Sequence, residues 1–137
     1  MKVKCIENTS KGLFRRTLAT FPGITLDYEP LAKKEEYEVY GISLWMGCLH
    51  YLIVDRYKGV EQNPSLYPAE LFKVIDSRLP QGWYYQFAGT EEENEATWGY
   101  KEFVMDPKHH EELYGIEAKA LDIFFKRRKE MDDSLEV

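Results

Sequence analysis

The chain has 137 residues, of which 44% are apolar and 15% aromatic, and its formal net charge is −6. This apolar content is enough for a packed core and too high for an intrinsically disordered chain. Acidic residues outnumber basic residues 24 to 18. Because phosphate binding needs a basic surface, this balance argues against nucleic acid as the main partner.

The length favours one compact domain. The two cysteines, Cys5 and Cys48, and an N-terminus without an apolar leader predict free thiols in a cytosolic protein. No stretch approaches the roughly 18 apolar residues that a membrane-spanning helix requires, so no membrane partner is predicted.

Three segments in the first part of the chain have strand-like patterns. Residues 3–8 alternate between apolar and polar side chains, and residues 35–45 and 48–57 are rich in β-branched and aromatic side chains. Met46-Gly47 between the latter two predicts a tight hairpin turn. Residues 58–65 are polar and are predicted to form a loop.

Residues 9–33 are predicted to be an inserted segment. The segment is too long for a bare loop in a compact domain. Phe14, Leu18 and Phe21 recur at helical spacing, which indicates one short helix within it.

The stretch YPAELFKVID, residues 67–76, has two readings: a helix that carries a functional Glu70, or the closing strand of a small barrel. A helix starting at Pro68 would have to end almost at once, because Asp76-Ser77 and Leu79-Pro80 follow. We therefore predict a single turn followed by a strand over Phe72–Ile75. Glu70 is then a surface or turn residue.

The last part of the chain predicts a hairpin and a helix. Residues 83–89 and 96–105 have strand patterns, and the polar stretch between them forms the predicted tip. Asp106 is a suitable N-cap with Pro107 at the first helical position, and Gly115 is a candidate break in the helix. The predicted buried stripe comprises Leu113, Ile116, Ala120, Ile123 and Phe124, widened by Leu121 and Phe125.

Four segments, MKVKCIEN, LAKKEEYEVYGI, YLIVD and YPAELFKVID, occur in an order that resembles small SH3-like proteins of bacteria and phages. The resemblance covers about residues 1–76 and implies an α+β fold. An SH3-like antiparallel β-barrel would occupy 1–79, with the insertion at 9–33, and the hairpin and C-terminal helix of 80–137 would pack on it as one compact unit. Extended versions resemble immunity proteins of bacterial toxin systems.

The strongest charge feature is the acidic run in the predicted hairpin tip. It is either a solvated tip or a docking element for a basic partner, since acidic groups steer association and aromatic residues supply contact energy. The predicted partner-binding residues are Glu91, Glu92, Glu93, Glu95, Trp83, Tyr85, Trp98 and Tyr100.

Two other groups of residues suggest chemistry less strongly. Cys48 and His50 share one face of a predicted strand, so a nucleophilic pair is an alternative to a buried thiol. His109-His110 are adjacent on a predicted helix and diverge by about 100°, which does not suit one metal ion. The nine glycines form no phosphate-binding motif. No metal or cofactor is predicted.

These patterns give one leading hypothesis and two alternatives. The leading hypothesis is a non-enzymatic cytosolic protein-binding module, of the immunity type, that neutralises a basic toxin. The alternatives are a small-ligand or enzymatic pocket near Cys48 and His50, and a phage-type regulatory nucleic-acid binder that uses Arg15, Arg16 and the basic run 126–129. A homodimer through an open strand edge is also compatible with the sequence.

Overall fold

The computed structural model describes residues 1–9 and 31–135. In these ranges the chain is an α+β protein with two antiparallel sheets followed by C-terminal helices, which confirms the predicted class. The helix predicted around Phe14, Leu18 and Phe21 lies outside the described residues, as does the Arg15-Arg16 pair.

The secondary-structure elements are numbered in chain order. The strands are β1 (Lys2–Cys5), β2 (Glu36–Glu38), β3 (Gly41–Trp45), β4 (Cys48–Tyr57), β5 (Val60–Pro68), β6 (Phe72–Asp76), β7 (Tyr84–Phe87) and β8 (Asn94–Gly99). The helices are α1 (Lys101–Met105), α2 (Pro107–Tyr114) and α3 (Ala118–Leu135), and a short 3₁₀ helix spans Ala69–Leu71.

The strands form a three-stranded sheet in the order β2-β1-β6 and a five-stranded sheet in the order β5-β4-β3-β8-β7. The polypeptide bends between β2 and β3, so that one strand belongs to each sheet. At the bend, the Val39 N–H donates to the Met1 carbonyl and the Tyr40 N–H donates to the Leu52 carbonyl, both at 2.9 Å. The strands in the described ranges do not close into a barrel.

The structure confirms the turn and strand predicted for residues 67–76. The 3₁₀ helix contains Glu70, and β6 follows it directly and pairs with β1. Pro68 precedes this helix with an extended backbone, ψ 135°. Since this proline ends β5, the helical turn carries the chain from one sheet to the other.

The prediction of a loop over residues 58–65 was wrong, because β5 begins at Val60 and pairs with β4. Lys58 and Gly59 adopt positive φ angles of 52° and 80° and form the turn of this hairpin. Strand β5 is polar and contains Pro64. An edge strand tolerates both features, because one side of it needs no ladder partner.

The second strand of the predicted 83–105 hairpin ends at Gly99, and α1 replaces its last part. Residues 101–105 were therefore wrongly assigned to a strand. Asp106 is confirmed as an N-cap, since its side chain accepts a hydrogen bond from the Lys108 N–H at 3.0 Å. The break predicted at Gly115 is present and leaves Ile116 half exposed, with φ 57°, instead of in the buried stripe.

Two clusters of buried side chains form the core. The first lies between the two sheets and contains Met1, Val3, Cys5, Leu31, Tyr37, Val39, Tyr51, Ile53, Tyr67, Leu71 and Phe72. The second joins the five-stranded sheet to the helices and contains Tyr40, Leu52, Val54, Tyr100, Phe103, Val104, Leu113, Ala120, Phe124 and Met131. Trp83 packs against both clusters.

A pair of opposed glycines allows α1 to approach the five-stranded sheet closely. Gly41 of β3 pairs with Gly99 of β8, and the ring of Phe103 covers both. A Cβ atom on Gly41 would lie 2.7 Å from the Phe103 ring, and one on Gly99 would lie 3.0 Å from it. Only glycine fits beneath the ring at these positions.

In the described residues, the structure contains no helix that is both long and apolar enough to span a membrane.

We predict that Gly41→Ala destabilises the protein by about 1–3 kcal/mol, the usual cost of adding a methyl group to a packed core. Phe103→Leu removes the ring that the methyl group would meet. Gly41→Ala should therefore lower the free energy of unfolding by less in the Phe103→Leu variant than in the unaltered chain. Urea unfolding of the unaltered chain, the two single variants and the double variant measures this difference. An equal cost in both backgrounds would rule out the proposed steric contact.

Candidate partner-binding surface

The hairpin β7–β8 forms one edge of the five-stranded sheet. Strand β8 pairs with the central strand β3 on one side and with β7 on the other, and β7 has no further strand neighbour in the described structure. Tyr85 lies opposite Trp98, which in turn lies opposite Ile42 of β3. These three side chains therefore form a row across one face of the sheet.

The aromatic side chains at this edge are open to solvent. Tyr85 is 57% exposed and Phe87 is 59% exposed. The Tyr85 and Trp98 rings lie 5.1 Å apart with an interplanar angle of 34°, within the range of favourable aromatic pairs. Because strand positions 85 and 87 point to the same face, Phe87 lies beside Tyr85 along β7, opposite Ala96.

The loop between β7 and β8 carries the acidic tip, which we define as Glu91, Glu92 and Glu93. All three are exposed, and none forms an ion pair with another residue in the described part of the chain. Glu95 is half-buried at the start of β8. The tip therefore presents carboxylates whose charge is not neutralised by neighbouring bases.

Backbone hydrogen bonds hold the tip against the sheet. The Met46 N–H in the β3–β4 turn donates to the Glu93 carbonyl at 2.9 Å, and the Ala88 N–H donates to the Glu95 carbonyl at 2.8 Å. The Ser43 hydroxyl donates to Asn94 Oδ1 at 2.9 Å. The acidic tip thus has a fixed attachment at both ends.

We call the side chains of Tyr85, Phe87 and Trp98, together with the acidic tip, the hairpin surface. Of the predicted partner-binding residues, Tyr85, Trp98 and the three tip glutamates meet on this surface. Trp83 lies at its border, half-buried, and its indole N–H donates to the Met131 sulfur at 3.3 Å.

Tyr100 lies apart from this surface, although the sequence groups it with the others. It is only 4% exposed, and its hydroxyl is hydrogen-bonded to His109 Nε2 at 2.7 Å. Burial raises the pKa of this tyrosine above its usual value. Tyr100 is the first residue beyond β8, where the chain turns into α1, so its ring packs beneath the helices.

Phe87 is the surface residue that the sequence analysis missed. The stretch WYYQFAG places it two residues after Tyr85. Strict strand alternation would have put both rings on one face. The alternation was visible in the sequence, but the exposure of that face depends on how the sheet ends.

Cys48 and His50 do not form an accessible pair. Their exposed fractions are only 4% and 7%. The His50 Nδ1 atom is hydrogen-bonded to the Cys48 carbonyl oxygen at 2.9 Å, and burial lowers the pKa of the imidazole. The ring also meets the edge of Trp45 at 5.8 Å between centroids.

The two adjacent histidines of α2 have different environments. His109 is fully buried against Tyr100, and its Nδ1 atom has no hydrogen-bond partner among the described residues. The His110 ring stacks on Phe103 at 4.7 Å. In the described ranges, no group of three or more His, Cys, Asp or Glu side chains lies close enough to hold a metal ion.

Two arginines of the basic run 126–129 are engaged in ion pairs. Arg127 donates from Nε and Nη2 to the two carboxylate oxygens of Glu102, both at 2.7 Å. Arg128 Nη2 lies 2.6 Å from Glu61 Oε2, and its Nε donates to the Tyr40 hydroxyl at 3.2 Å. These arginines join α3 to α1 and to β5.

No family model, characterised protein or solved structure matches this chain.

We predict that the free energy of unfolding falls as the pH decreases from about 7 to 5. Burial lowers the pKa of His50, His109 and His110 in the folded chain. The unfolded chain takes up protons near the ordinary histidine pKa of about 6.5, whereas the folded chain resists them. Stability is therefore lost as the pH falls through this window, by at most about 1.4 kcal/mol per pH unit for each histidine.

Urea unfolding between pH 5 and 7 measures this dependence. The variant His109→Gln should show a shallower dependence than the unaltered chain, whatever its absolute stability. A stability that does not change over this range, or an identical slope in the variant, would contradict the prediction.

Proposed function

We propose that the protein is a non-enzymatic, cytosolic protein-binding module that binds a basic partner through its hairpin surface. The observation that carries this proposal is the combination of exposed rings with carboxylates that form no ion pair with any residue that the structure describes. Tyr85 and Phe87 are each more than half exposed, and Glu91, Glu92 and Glu93 are exposed in the loop that follows this strand.

The two kinds of side chain would contribute differently to binding. Large aromatic side chains supply contact energy at protein interfaces, because burying them removes much apolar area from water. Carboxylates attract a basic partner over a distance and raise its rate of association. The net charge of −6 acts in the same direction as the acidic tip.

We propose more specifically that the partner is a basic toxin domain, so that the protein acts as an immunity protein. The order of four of its segments resembles small SH3-like proteins of bacteria and phages, and extended versions of these resemble immunity proteins of toxin systems. An enzyme that cleaves nucleic acid needs a basic groove to hold phosphate, and an acidic protein can occupy such a groove. The position of the acidic tip, at the end of a hairpin, suits insertion into a groove.

We also propose that residues 1–79 are a variant of the SH3-like barrel. The bend at Val39–Tyr40 makes β2 and β3 one long strand shared by both sheets. The resulting neighbour order is β6, β1, β2/β3, β4 and β5. The 3₁₀ helix directly before β6 supports the same interpretation. Strand β8 pairs with β3 beyond the bend, where the hairpin extends the sheet.

Charge reversal of the acidic tip is the direct test of this function. We predict that changing Glu91, Glu92 and Glu93 together to lysine weakens binding to a basic partner by about ten-fold or more, because attraction becomes repulsion. The measurement is growth rescue when the chain is co-expressed with each toxin candidate encoded beside its gene. It is followed by titration of the purified pair at two salt concentrations.

The matched control reverses Glu111, Glu117 and Asp133, which are also exposed and give the same change in net charge. This control should keep most of the binding and protection. The proposal fails if no neighbouring gene encodes a toxic protein. It also fails if the tip variant protects as well as the unaltered chain.

A further inference from the structure

Within residues 1–9 and 31–135, strand β7 is an open edge that carries neither charge nor proline, two of the usual protections against pairing. Four strands of these ranges lie at the ends of the two sheets, and three of them carry charges or proline within the strand. Strands β2 and β6 contain charged residues, and β5 contains both Glu61 and Pro64. Strand β7, with the sequence YYQF, contains neither. Charges and prolines are two of the devices by which proteins prevent edge strands from pairing with other chains.

The hydrogen-bond pattern identifies which backbone groups face the open edge. The Ala88 N–H donates to the Glu95 carbonyl of the neighbouring strand. In an antiparallel ladder, alternate residues direct both their N–H and C=O groups to the same neighbour. Gln86 therefore faces β8, whereas Tyr85 and Phe87 direct their N–H and C=O groups away from β8.

We infer that this edge pairs with the same strand of a second copy of the chain, antiparallel about a two-fold axis at Gln86. In this register Tyr85 of one copy exchanges two backbone hydrogen bonds with Phe87 of the other, and the reverse pair forms as well. All four outward backbone groups of each β7 find partners. The two five-stranded sheets become one continuous sheet of ten strands.

The side chains in this register are self-complementary. Tyr85 and Phe87 share one face, so each aromatic ring of one copy lies beside an aromatic ring of the other. The two Gln86 side chains meet on the opposite face, where their amides can donate and accept. No charged residue of β7 is brought near a like charge, because the strand has none.

The charges that flank β7 favour the same antiparallel arrangement. A cleft of about 300 Å³ lies beside the start of the strand and is lined by Trp83, Tyr84, Lys101 and Arg127, with Glu130 also in its wall. Lys101 is exposed and forms no ion pair with any described residue. Arg127 is ion-paired with Glu102 and Glu130, so Lys101 is the cation of this cleft that has no ion pair among the described residues. Antiparallel pairing places the end of one β7, which leads to the acidic tip, beside Lys101 of the other.

The proposed dimer forms through the backbone groups of β7 and does not require the proposed basic partner. Both interactions use Tyr85 and Phe87, so the second copy and the partner compete for this edge. Binding of a partner would then convert the dimer into a monomer in a one-to-one complex.

The test is the mass of the purified full chain, measured by analytical ultracentrifugation from micromolar to millimolar concentrations. The unaltered chain should approach twice the monomer mass. Phe87→Lys should raise the dimer dissociation constant about ten-fold or more, since it introduces charge into the pairing edge. Because Phe87 is exposed, this variant should keep its fold, which circular dichroism and thermal unfolding would check. The control Tyr114→Lys changes another exposed aromatic residue and should dimerise normally.

A cysteine at the two-fold axis tests the register. Opposed residues in a non-hydrogen-bonded antiparallel pair have Cα atoms about 4.5 Å apart, a separation that a disulfide can span. Gln86→Cys should therefore form a covalent dimer under mild oxidation, whereas Gln62→Cys on β5 should not. The native cysteines are buried and leave this assay undisturbed.

Three results would overturn the inference. They are a monomeric chain at millimolar concentration, a dimer that Phe87→Lys leaves unchanged, and a dimer that Gln86→Cys does not link.

Discussion

The close contact between the opposed glycines Gly41 and Gly99 and the ring of Phe103 organises the rest of the structure. It fixes β8 against β3 and brings α1 directly onto the sheet. A side chain at either glycine would push the helix outward. Because β8 is placed in this way, the following helices cover one face of the five-stranded sheet, and β7 is left at its outer edge.

The helices are then held by polar contacts that link distant parts of the chain. Arg127 joins α3 to α1 through Glu102, and Arg128 joins α3 to β5 through Glu61. The aromatic row on the other face of the sheet receives no cover from these helices. The exposed rings of β7 are therefore a consequence of where the helical layer ends, and they give the hairpin its capacity to bind another chain.

Some of this architecture could be predicted from local patterns in the sequence. Strand β4 was recognisable because apolar residues lie on both of its faces, which indicates a central strand. The start of α2 was recognisable because Asp106 and Pro107 form an ordinary N-terminal cap. Both signals depend on residues close together in the chain, and the structure confirms both.

Other features depend on contacts that sequence patterns do not contain. Strand β5 is polar and includes Pro64, so its assignment as a strand requires β4 as a partner. Tyr100 resembles the neighbouring surface aromatics, but the turn after Gly99 buries it. On the hairpin surface, Tyr85 and Trp98 lie on paired strands as the predicted hairpin requires, whereas the open edge beside them was visible only once the strand order was known.

The central claim is that β7 is an open pairing edge whose outward groups belong to Tyr85 and Phe87. Amide hydrogen exchange, followed by NMR over a series of protein concentrations, tests this claim most directly. At low concentration the amides of Tyr85 and Phe87 should exchange rapidly while that of Gln86 is protected, and protection of the first two should rise with concentration. Two results would contradict the account. The amides of Tyr85 and Phe87 would be as well protected as that of Gln86 at the lowest concentration, or their protection would not change with concentration.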